Sequence, residues 1–495
     1  MIKKSMMEVV MLLFLIGGAL AACAAGPAGQ PSLPDTPAGR ALAGWLQACQ
    51  SGKPEQMLQF VTRHYDPQAL NEVPAQDRAA RMRMRYQTYR ILQLDRVESS
   101  TPTRVTGLFR SPITETWLRI SADVTPEEPH YLTGVSIEEI PAPAGVGRPK
   151  YSDAELGHQL GKYLKKLAHE DIFSGAVMVS RNGKTLYKGA WGLANIGYHV
   201  PNQVDTKFNL GSMNKMFTAV AIAQLAQQGK LRFEDPIGKY LPDLPNADMA
   251  HKVTIHHLLT HTSGVGDYFN DRFDEASRAR FREVKDYLPL FVDSPLAFEP
   301  GARFRYSNGG FMLLGAIVEK VSGQNYFDYV REHIYRPAGM SDTDAYSLDH
   351  DTPKLATGYT RMDGDDLHGN AGPHNNLFMH VMRGGPAGGG YSTVEDLTRF
   401  SEALLGGKLL DKKYVDLLLT GKVEVGMEPG VRYAYGFFTR NENGQRIVGH
   451  SGGFPGISSN LDIYLDSGYT VVVMSNYDPG TAELVSGWIH DRLGG

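Results

Sequence analysis

The sequence from Met213 to Gln228 holds one charged residue, Lys215, and its centre, Ala219–Ala226, is apolar at every position but Gln224. Most of its residues are good helix formers, and Gly229 follows where helices commonly end. A helix that is apolar all round has no face to offer to water. It must therefore run through the interior of a domain wide enough to surround it. The chain can supply such a domain, because it has 495 residues, 42% of them hydrophobic and 21% charged. That length suits one large domain with a smaller one beside it. The 50 Lys and Arg residues face 54 Asp and Glu, a net charge of −4, so no basic excess points to nucleic acid.

The N-terminus reads as an export signal. Lys3 and Lys4 precede an apolar run from Val9 to about Ala22, short for a membrane span. The run ends in Leu20-Ala21-Ala22-Cys23, which resembles a bacterial lipobox. On that reading residues 1–22 are removed and Cys23 becomes the lipidated first residue, anchoring the protein to a membrane. Ala19-Leu20-Ala21 also fits an ordinary cleavage site. Ala24, by resemblance to lipoproteins of diderm bacteria, implies sorting to the periplasmic face of the outer membrane. The other cysteine, Cys49, is then an unpaired thiol buried in a helix; without lipid on Cys23 the two could form a disulfide.

Residues 23–35, rich in Ala, Gly and Pro, read as a tether. Residues 36–140 read as a small α+β unit, with helices at 37–49, 54–63 and 76–88 before strands at 91–97, 104–109, 116–122 and 131–140. That order resembles a cystatin-like roll, and the unit carries no catalytic constellation. Residues 141–150 form a Pro- and Gly-rich linker. Residues 151–495 read as one domain. It opens with a helix at 153–169 and two strands, 175–179 and 185–191, joined at Asn182-Gly183. It closes with strands at 446–450, 461–465 and 469–474 and a helix at 481–493. The middle, 212–440, is mostly helix and loop. The expected fold is α+β: strands from both ends of the domain join one antiparallel sheet flanked by helices, with a largely helical subdomain beside it.

Chemistry concentrates at the start of the apolar helix, Gly211-Ser212-Met213-Asn214-Lys215. Residues three apart on a helix share a face, with Cβ atoms about 5–6 Å apart. A serine hydroxyl is a weak nucleophile until a neighbouring base takes its proton. A buried lysine with a lowered pKa suits that task, and the helix N-terminus adds positive potential near a developing oxyanion. Ser212 and Lys215 could instead be a cap beside a solvated lysine. Against this, no other lysine of the chain has a serine three positions before it, and an idle charge among apolar residues is costly.

Two further segments join them. Tyr306-Ser307-Asn308 follows the strand-like Arg303-Phe304-Arg305 and precedes an apolar helix at 310–321. Its phenol can relay a proton if nearby cations lower its pKa, and its amide can hold both a carbonyl and a lysine. His450-Ser451-Gly452-Gly453 ends a strand, where glycines admit a ligand and an exposed edge offers N–H groups. In this order the three segments resemble the serine β-lactamase and penicillin-binding-protein superfamily, in its class C-like branch of DD-peptidases, esterases and D-aminopeptidases. Gly229–Pro242, Ile255–Gly264 and Gly388–Leu397 add to the likeness, which spans about 155–490.

The resemblance implies a β-lactamase/transpeptidase-like fold and an acyl-enzyme on Ser212, with Lys215 and Tyr306 sharing the proton work. It implies substrate binding by Asn308, His450, Ser451 and Gly452, an oxyanion hole from the N–H groups of Ser212 and Gly453, and no metal or cofactor. The substrate is a small molecule or peptide, an ester or amide. His450 stands where β-lactamases usually have lysine, and an imidazole holds a carboxylate less firmly. A β-lactamase, or an inactive binding module of the same fold, is the alternative.

Other patterns are poorer fits. Gly449-His-Ser451-Gly-Gly453 has the form of a nucleophile elbow, but only His490 follows it. His257 and His261 are spaced like a zinc pair on a helix, yet Leu258 stands where such a motif needs Glu; they read as structural. Gly384–Gly390 reads as a loop near the site, and Ser392–Glu395 as a capping box.

Overall fold

In the N-terminal unit, helices α1 (Pro37–Gln50), α2 (Pro54–His64), α3 (Pro67–Glu72) and α4 (Ala75–Tyr89) precede four strands. The strands are β1 (Gln93–Ser100), β2 (Arg104–Arg110), β3 (Trp117–Val124) and β4 (Leu132–Ile140), an antiparallel meander in that order. The structure, a computed structural model, describes residues 31–143, 145–361, 373–426, 429–442 and 444–494. Cys23 and the signal-like segment lie outside the described residues. Among the described residues no helix is long and apolar enough to cross a membrane.

Thr36 caps α1, accepting from the Gly39 N–H at 3.1 Å. Leu42, Trp45, Leu46 and Cys49 share the buried face of the helix, as their spacing predicts. The Cys49 thiol donates to the Met82 carbonyl, and burial pushes its pKa up to about 12, which leaves it inert.

The large domain begins with α5 (Asp153–His169), opened by a capping box between Ser152 and Glu155. Next come the hairpin strands β5 (Gly175–Arg181) and β6 (Lys184–Trp191) and, among shorter helices, the long α6 (Asn214–Gln227), α7 (Asn308–Ser322) and α8 (Val394–Leu405). Strands β7 (Phe438–Glu442), β8 (Gln445–Phe454), β9 (Ile457–Tyr464) and β10 (Tyr469–Ser475) and helix α9 (Thr481–His490) complete it. Two two-residue strands, Val423–Glu424 and Arg432–Tyr433, extend the sheet beyond β7. The remaining order is β7-β8-β9-β10-β5-β6, antiparallel throughout, so strands from both ends of the domain meet where β10 pairs with β5.

Alternation along the strands sets the layers. Val177, Val179, Val471 and Val473 pack with Leu160 and Leu164 of α5 and Val485 and Ile489 of α9. Their neighbours Ala176, Met178, Val472 and Met474 point the other way, into the larger core with α6, α7 and α8. Both faces are covered, which is why these strands read as continuous apolar runs. The N-terminal unit sits on the α5–α9 side. Glu115 accepts from Lys166 Nζ (3.1 Å), Arg492 Nη2 (2.7 Å) and Trp488 Nε1 (3.2 Å) there, and the Tyr163 hydroxyl donates to the Thr114 carbonyl at 3.0 Å.

Several local expectations are corrected. Ser212 lies in a 3-10 turn, Gly211–Met213, and the α-helix starts only at Asn214. Arg303-Phe304-Arg305 forms no strand. The helix at Ile255–Leu259 ends before His261, whose φ of 57° takes it off the helical path, so His257 and His261 do not share a face. No cluster able to hold a metal occurs among the described residues. Helix α8 is capped by Thr393, which accepts from the Asp396 N–H at 3.1 Å, rather than by Ser392 with Glu395.

Candidate active site

Helix α6 is buried along almost its whole length, and Lys215 is completely buried with it. Its Nζ lies 3.2 Å from Ser212 Oγ, 2.7 Å from Asn308 Oδ1 and 2.6 Å from the Ala387 carbonyl. Burial lowers the lysine pKa from 10.5 to about 7, a shift that Asp267 opposes through its charge. A neutral amine has two N–H donors and one lone pair. The two shorter contacts absorb the donors, and the lone pair is left for the Ser212 hydroxyl.

Tyr306 closes the other side. The ammonium position lies 4.8 Å from its ring centroid. Burial raises the pKa of its phenol, while a hydrogen bond with Ser212 partly offsets that. The cations that would lower it are not what dominates here; a dry pocket keeps this phenol protonated. The Tyr306 ring packs 4.2 Å from that of His261, whose Nδ1 accepts from the Ser307 N–H at 3.1 Å. His261 is thus a structural support, as its motif context suggested. Ser307 caps α7, accepting from the Gly310 N–H at 3.0 Å, and so sets Asn308 at the first turn.

The strand β8 forms the third wall. It pairs with β7 only as far as Gly449, so His450–Phe454 has a free edge on that side. The turn that carries Ser212 packs directly on it. A Cβ on Gly211 would lie 2.9 Å from Gly452 Cα and 3.0 Å from Gly453 N, and one on Gly452 would lie 2.0 Å from the Leu210 carbonyl oxygen. Only glycines let these two backbones approach, which brings the Ser212 and Gly453 segments to one spot.

His450 departs from its expected place on the substrate wall. It is buried, its Nδ1–H donates to the Ser451 carbonyl at 2.5 Å, and its Nε2 accepts from the Tyr433 hydroxyl at 3.2 Å. Burial and the charge of Lys215 bring its pKa down to about 3, so it is neutral. A buried imidazole needs partners for both nitrogens, and here both lie inside the protein. The cavity before Ser212 is lined by Gly453 and Phe454 of this strand, and not by His450, Ser451 or Gly452.

Two contributors were not singled out in the sequence. Asp267 Oδ2 accepts from both the backbone N–H and the Nδ2 of Asn308, each at 2.9 Å, which turns the amide oxygen toward Lys215. The Ala387 carbonyl belongs to the glycine-rich loop that the sequence placed near the site. No side-chain signal marks a carbonyl.

A serine, a lysine of depressed pKa and a tyrosine at the mouth of a helix-flanked antiparallel sheet define a serine hydrolase of the acyl-enzyme type. A family profile described as Beta-lactamase matches residues 160–495. Penicillin-binding protein 4* of Bacillus subtilis (strain 168) is 31% identical over 331 residues, 64% of this chain and 71% of that protein. The crystal structure of a penicillin binding protein from Bacillus halodurans superposes with a TM-score of 0.59 at 35% identity, covering 67% of this chain and 97% of that one. A D-stereospecific amidohydrolase from Streptomyces sp. gives 0.57 at 28% identity, covering 68% and 98%. The chain belongs to the β-lactamase family of serine hydrolases.

Proposed function

We propose that the protein hydrolyses an ester or amide through a covalent Ser212 acyl-enzyme. The observation that carries this is the Lys215 amine, 3.2 Å from Ser212 Oγ, with its remaining hydrogen-bonding capacity taken up by Asn308 and Ala387. Lys215 takes the Ser212 proton as Oγ bonds to the substrate carbonyl carbon. The carbonyl oxygen, now negative, is held by the N–H groups of Ser212 and Gly453. Tyr306 donates its proton to the leaving group as the carbon–leaving-group bond breaks, and Lys215 returns a proton to the phenolate. Water then repeats the sequence on the acyl-enzyme and frees Ser212. Asn308 holds Lys215 through its Oδ1 and itself lines the cavity.

The test is labelling with a fluorophosphonate probe followed by intact mass measurement, with turnover of p-nitrophenyl esters alongside. Wild type gains one adduct and Ser212→Ala gains none, with turnover down by about 10⁴-fold or more. Absence of an adduct on the wild type would leave a binding module rather than an enzyme.

Export and anchoring belong to the same proposal. The basic-then-apolar start and the lipobox-like Leu20–Cys23 support a lipid on Cys23 and a place on the periplasmic face of an outer membrane. Cells fed a radiolabelled fatty acid should label the wild type and not Cys23→Ser; equal labelling would end that part.

A further inference from the structure

We infer that the cavity before Ser212 selects neutral acyl donors whose acyl part is apolar and flat, an aromatic ring first of all, and turns away donors bearing a carboxylate on that part. This rests on the reading of Ser212 as nucleophile. The cavity is small, about 230 Å³, and among the described residues that line it none is Lys, Arg, Asp or Glu. Its apolar wall comes from separate elements: Tyr268, Phe269 and Phe273 just beyond Asp267, Met379 and Val381 from the loop before Gly384, and Phe454 at the end of β8.

Phe269 and Phe454 face each other with ring planes 25° apart and centroids 6.1 Å apart. Phe269 is 45% exposed although its neighbours Tyr268 and Phe273 are buried, so its ring is apolar surface awaiting cover. Two nearly parallel rings offer their exposed faces and edges to a further flat apolar group beside them. His380, 5.4 Å from Phe454, also lines the cavity, and burial lowers its pKa to about 4, leaving it neutral.

The same walls penalise an anion. A carboxylate entering the cavity loses its hydration and must find a cation. Besides the neutral His380, the two nearest cationic candidates are committed elsewhere. His450 is neutral and bonded to Tyr433 and Ser451, and Lys215 lies beneath Ser212 with all its contacts filled. Asp267 behind Asn308 adds a negative field from below.

Two esters with one leaving group test this: p-nitrophenyl phenylacetate and mono-p-nitrophenyl adipate, assayed on the full chain with fluorophosphonate labelling of Ser212 as the site control. The kcat/KM ratio is expected to favour phenylacetate on the order of 10²-fold or more, as for a site that leaves a polar group unpaired. Phe269→Ala should cut that ratio about tenfold, mainly through KM, as contact with the ring is lost. Phe454→Arg, which adds a cation to the wall, should raise adipate turnover relative to phenylacetate. A wild-type ratio near one, or inverted, with Ser212 labelled, would overturn the inference and leave the hydrolase reading standing. No labelling, with neither ester turned over, would remove the hydrolase reading and this inference with it.

Discussion

Two cations lie beside the strand β8, Lys215 buried and Arg440 half-buried, and they have been treated in opposite ways. Arg440, on β7, reaches across to β9 and holds Asp462 through both guanidinium ends, at 3.0 and 3.1 Å, with Glu442 on its Nε at 3.0 Å. Burial works against its charge, but the two carboxylates outweigh burial and hold its pKa above the ordinary value. Lys215 is buried more deeply, yet its bonds go to a hydroxyl, an amide oxygen and a backbone carbonyl. With no carboxylate in contact among the described residues its pKa falls to about 7. A cation given carboxylates becomes a fixed cross-brace between strands. The same cation given only neutral acceptors becomes a base.

The contrast is broken most severely by exchanging head groups at the site. Lys215→Arg keeps the charge and removes the ability to lose it, because a guanidinium is not deprotonated in proteins. Ester turnover should fall by about 10³-fold or more while fluorophosphonate labelling slows in parallel. Turnover within tenfold of wild type would mean that Lys215 is not the base. The matching change at the brace is Arg440→Met, which leaves Asp462 buried with its partner gone. Denaturation should show a loss of about 3–5 kcal/mol, with kcat/KM per folded molecule little altered. Unchanged stability would show that Arg440 is not a brace and that Asp462 is satisfied without it.

The sequence made one of these clusters legible and hid the other. Ser212 and Lys215 lie within a single turn, so their meeting follows from helix spacing alone. The antiparallel sheet and its flanking helices also followed from local pattern, because each strand and cap is written in neighbouring residues. Arg440 meets Asp462 from 22 residues away, and Asp267 meets Asn308 from 41. No periodicity connects them. His450 was misplaced for the same reason: its direction depends on Tyr433, a residue in a two-residue strand with no pattern to announce it. The start of α6 was set too early because a 3-10 turn and an α-helix share their first residues' propensities. Chemistry carried by neighbouring side chains could be read directly. Chemistry that depends on a backbone carbonyl such as Ala387, or on a partner brought in by the fold, could not.

Asp267 sharpens the comparison at its finest scale, because among the described residues it is the acidic group that acts on Lys215 without touching it. Its charge raises the lysine pKa against burial, and its Oδ2 clamps Asn308 so that the amide oxygen faces the amine. Lys215 must be neutral to accept the serine proton. For the wild type, kcat/KM for a neutral ester should therefore rise with pH, about tenfold per unit on the acid side, and level off above an inflection near 7. Asp267→Asn removes the negative field and leaves burial unopposed, so the lysine pKa falls further and the acid limb moves to lower pH. If Asp267 served only to brace the loop, kcat/KM would drop at every pH and the inflection would stay in place. A positioning residue that also tunes the base gives both effects, a lowered plateau and a displaced limb, and the displacement separates field from scaffold.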